Sequence, residues 1–139
     1  GVVTREIEAR MHPQSTLVAV EPQAEFVAMV RRGCGRARVL HGRFEQCEPE
    51  LMEHAPYDVV VSGLPFPSMP RRSQAALLRL LEAAAPTAVF SQLTEIPWLY
   101  LPLYRRTFQR VSFRVVPLNV PPGGVYHCRG VRGGRRVGR

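Results

Sequence analysis

The sequence contains no lysine: all 19 of its basic residues are arginine, set against 11 acids, for a net charge of +8. Two readings fit an arginine-only chain. The planar guanidinium fork suits a phosphate-bearing partner, and a GC-rich genome gives the same bias with no functional meaning. Cysteine is scarce. Cys34, Cys47 and Cys128 are odd in number and include no CxxC pair, which argues against a disulfide framework or a zinc site and for reduced thiols. The four histidines, His12, His41, His54 and His127, stand without ligand spacing, so no metal is expected. No apolar run approaches the roughly 18 to 20 residues that a membrane-spanning helix needs, and no stretch reads as a secretory signal. The expectation that remains is one cytoplasmic α/β domain, with 139 residues and 45% hydrophobic content sufficient for a real core.

The stretch that organises the chain is Tyr57 to Pro70, YDVVVSGLPFPSMP. The β-branched run Val59-Val60-Val61 predicts a strand buried on both faces, as in a parallel sheet. The run stops at Ser62-Gly63. Pro65, Pro67 and Pro70 then forbid both strand and helix. The result is a stiff loop at the carboxyl end of a buried strand, where open α/β sheets bind ligands. Leu64, Phe66 and Met69 make this loop apolar, so it either folds back on the core or walls a cleft.

On either side, helical and strand patterns alternate. Residues 1–11 read as a helix with Val2, Val3, Ile7 and Met11 on one face. Residues 15–20 read as a strand ending at Glu21-Pro22. Pro22 suits the first turn of the next helix, 24–32, with Phe26, Val27 and Val30 inward and Gly33 and Gly35 ending it. Residues 38–40 make a short strand before the turn His41-Gly42-Arg43, and 48–54 a short helix. Residues 73–85 make the clearest helix, with Ala76, Leu77, Leu80, Leu81 and Ala84 inward, and 87–93 another strand. Residues 98–108 read as helical and unusually greasy. The alternation of Val111, Phe113 and Val115 predicts an edge-type antiparallel strand, which a turn at Asn119–Gly124 joins to a returning strand, 125–131. The Arg/Gly-rich residues 131–139 are expected to be a disordered tail behind a domain spanning 1–130. Alternating helices and strands argue for a Rossmann-like, doubly wound, mostly parallel sheet with a C-terminal antiparallel hairpin. Such a sheet does not start on a helix, so a first strand and its glycine turn are expected ahead of Gly1.

The strand ending in an acid (LVAVEP), the strand and turn VLHG, and above all SGLPFPSMP paired with NVPPGGVYHCR resemble class I S-adenosylmethionine-dependent methyltransferases. The resemblance is to the bacterial phospholipid N-methyltransferases, which methylate phosphatidylethanolamine toward phosphatidylcholine. It covers nearly the whole chain. It implies that Gly1 is the last glycine of the cofactor-cradling turn. It places Glu21, followed by Pro22, at the ribose hydroxyls; Glu21 alternatively caps the following helix. Arg43 stands where the family has an acid facing adenine, and Phe44 lies against the purine or in the core. Ser62, Gly63 and Leu64 lie beside both the cofactor and the reacting amine, with Pro65, Phe66, Tyr126 and His127 lining the acceptor pocket. Tyr126 joins the catalytic set, and His127 is a candidate to relay a proton.

The chemistry implied is in-line displacement by an amine on a sulfonium carbon. It needs alignment, a neutral amine and exclusion of water more than a strong base. The absence of a Ser-His-Asp set therefore does not count against an enzyme. The resemblance also implies a slot in the sheet where the first strand belongs, which invites a homodimer by strand addition. The expected setting is peripheral to the inner face of the membrane. The partner there is a phospholipid substrate on an anionic surface, which the +8 charge and the Trp98–Tyr104 segment suit. Nucleic acid is not the expected partner. Two other readings stay open: an enzyme like the ribosomal RNA adenine N6-methyltransferases, whose NLPY loop SGLPF distantly resembles, and a degenerate fold serving as a binding module.

Overall fold

The computed structural model describes residues 1–95, 98–117 and 122–133. The chain divides into two compact units, Gly1–Glu53 and His54–Arg139. The first contains α1 (Val2–Arg10), β1 (Leu17–Glu21), α2 (Ala24–Gly33), β2 (Ala37–His41) and α3 (Glu48–Glu53). β1 and β2 pair in parallel, from Leu17 opposite Ala37 to Glu21 opposite His41. A parallel pair needs a crossover, and α2 supplies it. Glu25 in the first turn of α2 and Arg31 and Arg32 in its last match the helix dipole. Val27, Val30, Cys34 and Val39 form the core of the unit.

Three expectations shift in this unit. β1 starts two residues late because the Arg36 guanidinium holds the carbonyls of His12, Pro13 and Ser15 in a turn. α2 ends without a left-handed glycine: Gly33 is still helical, and the extended Cys34 closes the helix by donating to Val30 O. Phe26 of α2 and Val2 and Val3 of α1 are exposed rather than inward.

The second unit contains β3 (Val59–Ser62), a 3-10 turn (Phe66–Ser68), α4 (Arg71–Ala84), β4 (Val89–Thr94), α5 (Leu101–Thr107), β5 (Phe108–Val116) and β6 (Gly123–Val131). The sheet order is β3-β4-β6-β5. β3 and β4 are parallel, and β6 runs antiparallel to both β4 and β5. The C-terminal hairpin forms as expected, with β5 at the edge and β6 inside. β6 extends to Val131, where the tail was expected to begin; residues 134–139 and residues 119–121 of the expected turn lie outside the described residues.

β1 ladders with β2 and β3 with β4, so the strands fall into two separate sheets.

β3 is not buried on both faces. Val59 is 58% and Val61 39% exposed, while Ser62 is buried. The register explains it. Val60 and Ser62 stand in line with Phe90 and Gln92 of β4, which stand in line with Cys128 and Tyr126 of β6. Side chains on a strand alternate, so these residues share one face. Leu81 of α4 lines the same hollow as Phe90 and Cys128, and Tyr104 of α5 stacks on Tyr126. The helices of this unit cover that face and leave Val59 and Val61 outside.

Candidate functional site

The loop after β3 is braced by its own backbone. Ser62 Oγ accepts from the Leu64 N–H at 3.2 Å. Pro65, at φ −77° and ψ 61°, sits at the centre of an inverse γ-turn closed by Phe66 N–H donating to Leu64 O at 2.8 Å. Pro65 O then accepts from the Ser68 and Met69 N–H groups, and Gln74 Nε2 from α4 donates to Met69 O.

The strongest brace is Gln92 of β4. Its side chain is 1% exposed. Nε2 donates to Ser62 O at 3.1 Å, Leu64 O at 2.7 Å and Leu93 O at 2.9 Å. The two carbonyls flanking Gly63 are therefore pinned by one buried amide. Gln92 Oε1 is buried with no partner among the described residues. Sequence reasoning missed Gln92 by reading TAVFSQL only as a strand. The available signal was a glutamine of the same parity as Phe90, on the inward face of an apolar strand.

Beneath the loop lies an aromatic stack. Phe66 lies 5.9 Å from Tyr104, Tyr104 lies 4.3 Å from Tyr126, and Tyr126 lies 4.9 Å from Phe113, between ring centroids. Phe66 is 1% and Tyr126 0% exposed. Both were expected to line an acceptor pocket; here their rings are packed in the stack beneath the loop. His127 stands apart from them. It follows Tyr126 on β6, so it points to the opposite face, where its Nδ1 lies 2.8 Å from Ser91 Oγ. Tyr126 and His127 therefore stand on opposite faces of β6. Of the expected set, the structure brings together Ser62, Gly63, Leu64, Pro65, Phe66 and Tyr126, and it leaves Gly63 and Pro65 exposed.

Burial disfavours every ionised group in this stack. It raises Tyr104 well above the ordinary phenol range and Tyr126 in the same direction, with a hydrogen bond from the Tyr100 backbone opposing the shift in Tyr126. Burial pushes the Cys128 thiol up to about 12. A thiolate is the reactive form, and Cys34 and Cys47 are buried as well. The native chain at pH 8 is therefore expected to leave Cys128 unmodified by an aromatic disulfide reagent, while urea exposes three reactive thiols. Rapid native reaction at Cys128 would show that β6 opens.

In the first unit, Glu21, Pro22, Arg43 and Phe44 come together at the carboxyl ends of β1 and β2. Glu21 O accepts from the Gly42 N–H at 3.0 Å, and Glu21 Oε1 accepts from the Gln23 N–H at 2.9 Å. That bond braces the turn ahead of α2, whose first turn has no side-chain cap, and it does not exclude a ligand. A carboxylate offers about four acceptor directions, and the Gln23 bond aims the group without filling it. Gly42, at φ +156°, makes the turn that starts the next loop. There Arg43 is exposed, its N–H donating to Gln46 Oε1, and Phe44 is half-buried outside the core cluster. Gly1 caps α1, and a Cβ built on it would lie 3.8 Å from the side chains of Met29 and Val30.

No protein-family model matches the chain. It is 38% identical over 138 residues to an ornithine lipid N-methyltransferase of Singulisphaera acidiphila, a match that takes in 95% of this chain and 72% of that protein. Its fold is similar to a crystal structure from Pyrococcus horikoshii described as an RNA methyltransferase. The TM-score is 0.51 at 15% identity, over 84% of this chain and 64% of that one. At that identity the likeness bears on the fold alone, and it agrees with a Rossmann-like methyltransferase fold.

Proposed function

The chain belongs to the family of the Singulisphaera ornithine lipid N-methyltransferase, and on that footing we propose that it transfers a methyl group from S-adenosylmethionine to the amine of a membrane lipid. The cofactor supplies an electrophilic methyl on a sulfonium. What the chain supplies is binding and alignment. Glu21 is suited to accept from ribose hydroxyls, because its carboxylate is already oriented and has acceptor capacity left. The Ser62–Leu64 segment is suited to orient the acceptor amine, whose lone pair must be unprotonated and in line.

The observation that carries this reading is Gly63. It is exposed between two carbonyls pinned by Gln92, its φ lies outside the left-handed region, and nothing lies within 4 Å of a Cβ built on it. Neither conformation nor packing in the chain requires glycine there, and the open space beside it leaves room for a ligand to approach the backbone closely. Phosphatidylethanolamine is the substrate that the sequence motifs suggest, and ornithine lipid is the one in the relative's name. Both fall within the class proposed, a lipid-borne amine.

The test is transfer of labelled methyl to vesicles containing either lipid, with ribosomal RNA as the competitor. Label is expected in lipid. Label in RNA would replace this reading with the adenine N6 one. Label in neither, with no binding of S-adenosylhomocysteine by calorimetry, would leave a binding module. Gly63→Ala is expected to change stability by less than about 0.5 kcal/mol and to lower kcat/KM by roughly a hundredfold, the scale of a misplaced reacting group. Full activity in that variant would move the acceptor site elsewhere.

A further inference from the structure

Trp98 is the only tryptophan in the chain, and it is 66% exposed; Leu99 beside it is 57% exposed. The greasy 98–108 segment therefore splits. Tyr104 turns inward to the aromatic stack, while Trp98, Leu99 and Pro102 face out. Arg105 and Arg106 are exposed in the last turn of α5. They lie three and four residues beyond Pro102, so they share its side of the helix. Single apolar residues on a surface are ordinary. An exposed indole and leucine just ahead of a short helix that carries two exposed arginines make a more specific pattern. The charge pattern extends it: after Glu95 the sequence has nine arginines and no acid. Glu95 itself is exposed and is the one carboxylate near the turn in sequence.

Tryptophan is favoured at the headgroup level of a bilayer, and arginine next to it is attracted to lipid phosphates. A nucleic acid would engage the indole and the arginines, but it offers no apolar phase for Leu99 and Pro102. We propose that the Trp98–Leu99 turn and the outward side of α5 form a docking surface for an anionic bilayer. Trp98 and Leu99 enter the headgroup boundary, and Arg105 and Arg106 face phosphate. The proposal rests on the lipid-amine reading only for why a bilayer would be the working surface.

The single tryptophan makes the test direct. The full chain is mixed with phosphatidylcholine vesicles with and without phosphatidylglycerol, neither containing an aminolipid. The expected result is a blue shift of Trp98 emission and its quenching by brominated acyl chains on the anionic vesicles alone. Arg105→Glu with Arg106→Glu, still folded by circular dichroism, is expected to weaken co-sedimentation at least tenfold, and Leu99→Asp to abolish the shift. Co-sedimentation with unmoved Trp98 emission, or no co-sedimentation with anionic vesicles, overturns the proposal. So does a Trp98 change produced by single-stranded RNA and not by vesicles. Because no substrate is present, a missing shift alongside lipid methylation would sink the docking surface alone, and a shift without methylation would sink the lipid-amine reading alone.

Discussion

Gln92→Glu is expected to cost the fold about 3 kcal/mol or more at pH 7 and to abolish methyl transfer. The amide it replaces donates to the carbonyls of Ser62, Leu64 and Leu93 from a site 1% exposed. An ionised carboxylate there would face three acceptors with nothing to donate, so the folded state favours the protonated form and raises the pKa. The sign follows. Below the unfolded carboxyl's pKa of about 4.3 both states are protonated, and the variant loses only the second N–H. Above it the unfolded chain ionises first, and stability is lost progressively until the folded carboxyl ionises too. Urea unfolding at pH 5 and pH 7, each against the parent chain, checks this. Gln92→Met separates charge from lost hydrogen bonds. It removes the donors at similar volume and is expected to cost about 1–3 kcal/mol, independent of pH. A Glu variant as stable as the parent at pH 7 would mean that Gln92 does not pin the loop.

That residue also marks where sequence reading reached its limit. The alternation of elements was legible because it rests on local rules: a β-branched run for β3, a 3.6-residue period for α4, alternation and glycines for the hairpin of β5 and β6. The face of each strand was not. Val59 and Val61 read as fully buried because a continuous apolar run does not say whether one side or both will be covered; here α4 and α5 cover only the side of Val60 and Ser62. The resemblance grouped Tyr126 and His127 at one pocket, yet neighbours on a strand point to opposite faces. The Ser62–Leu64 loop was found from its prolines, but the side chain that fixes it comes from the next strand. Such a pairing depends on register, which no local pattern carries.

Tyr104→Ala is expected to be the most damaging single truncation in the second unit, costing about 3–5 kcal/mol. Tyr104 is 1% exposed and its ring touches three others: Phe66 at the loop, Tyr126 in β6 and Phe108 at the start of β5. Removing it leaves a void where loop, helix and sheet meet, and the surrounding backbone cannot collapse without moving the carbonyls that Gln92 holds. A fall in Tm of more than about 10 °C is expected, together with loss of activity. Tyr104→Phe keeps the stack and is expected to cost less than about 1.5 kcal/mol. The two substitutions also divide the alkaline response. Burial raises the Tyr104 phenol above its ordinary value, so its contribution is intact below about pH 10 and is lost as rising pH ionises the unfolded chain first. The Phe variant has no such proton to lose. Its stability is therefore expected to gain on the parent's between pH 9 and pH 11, measured by thermal unfolding. If the difference between the two chains stays constant across that range, the Tyr104 hydroxyl is not desolvated, and the stack under the loop is more open than the geometry describes.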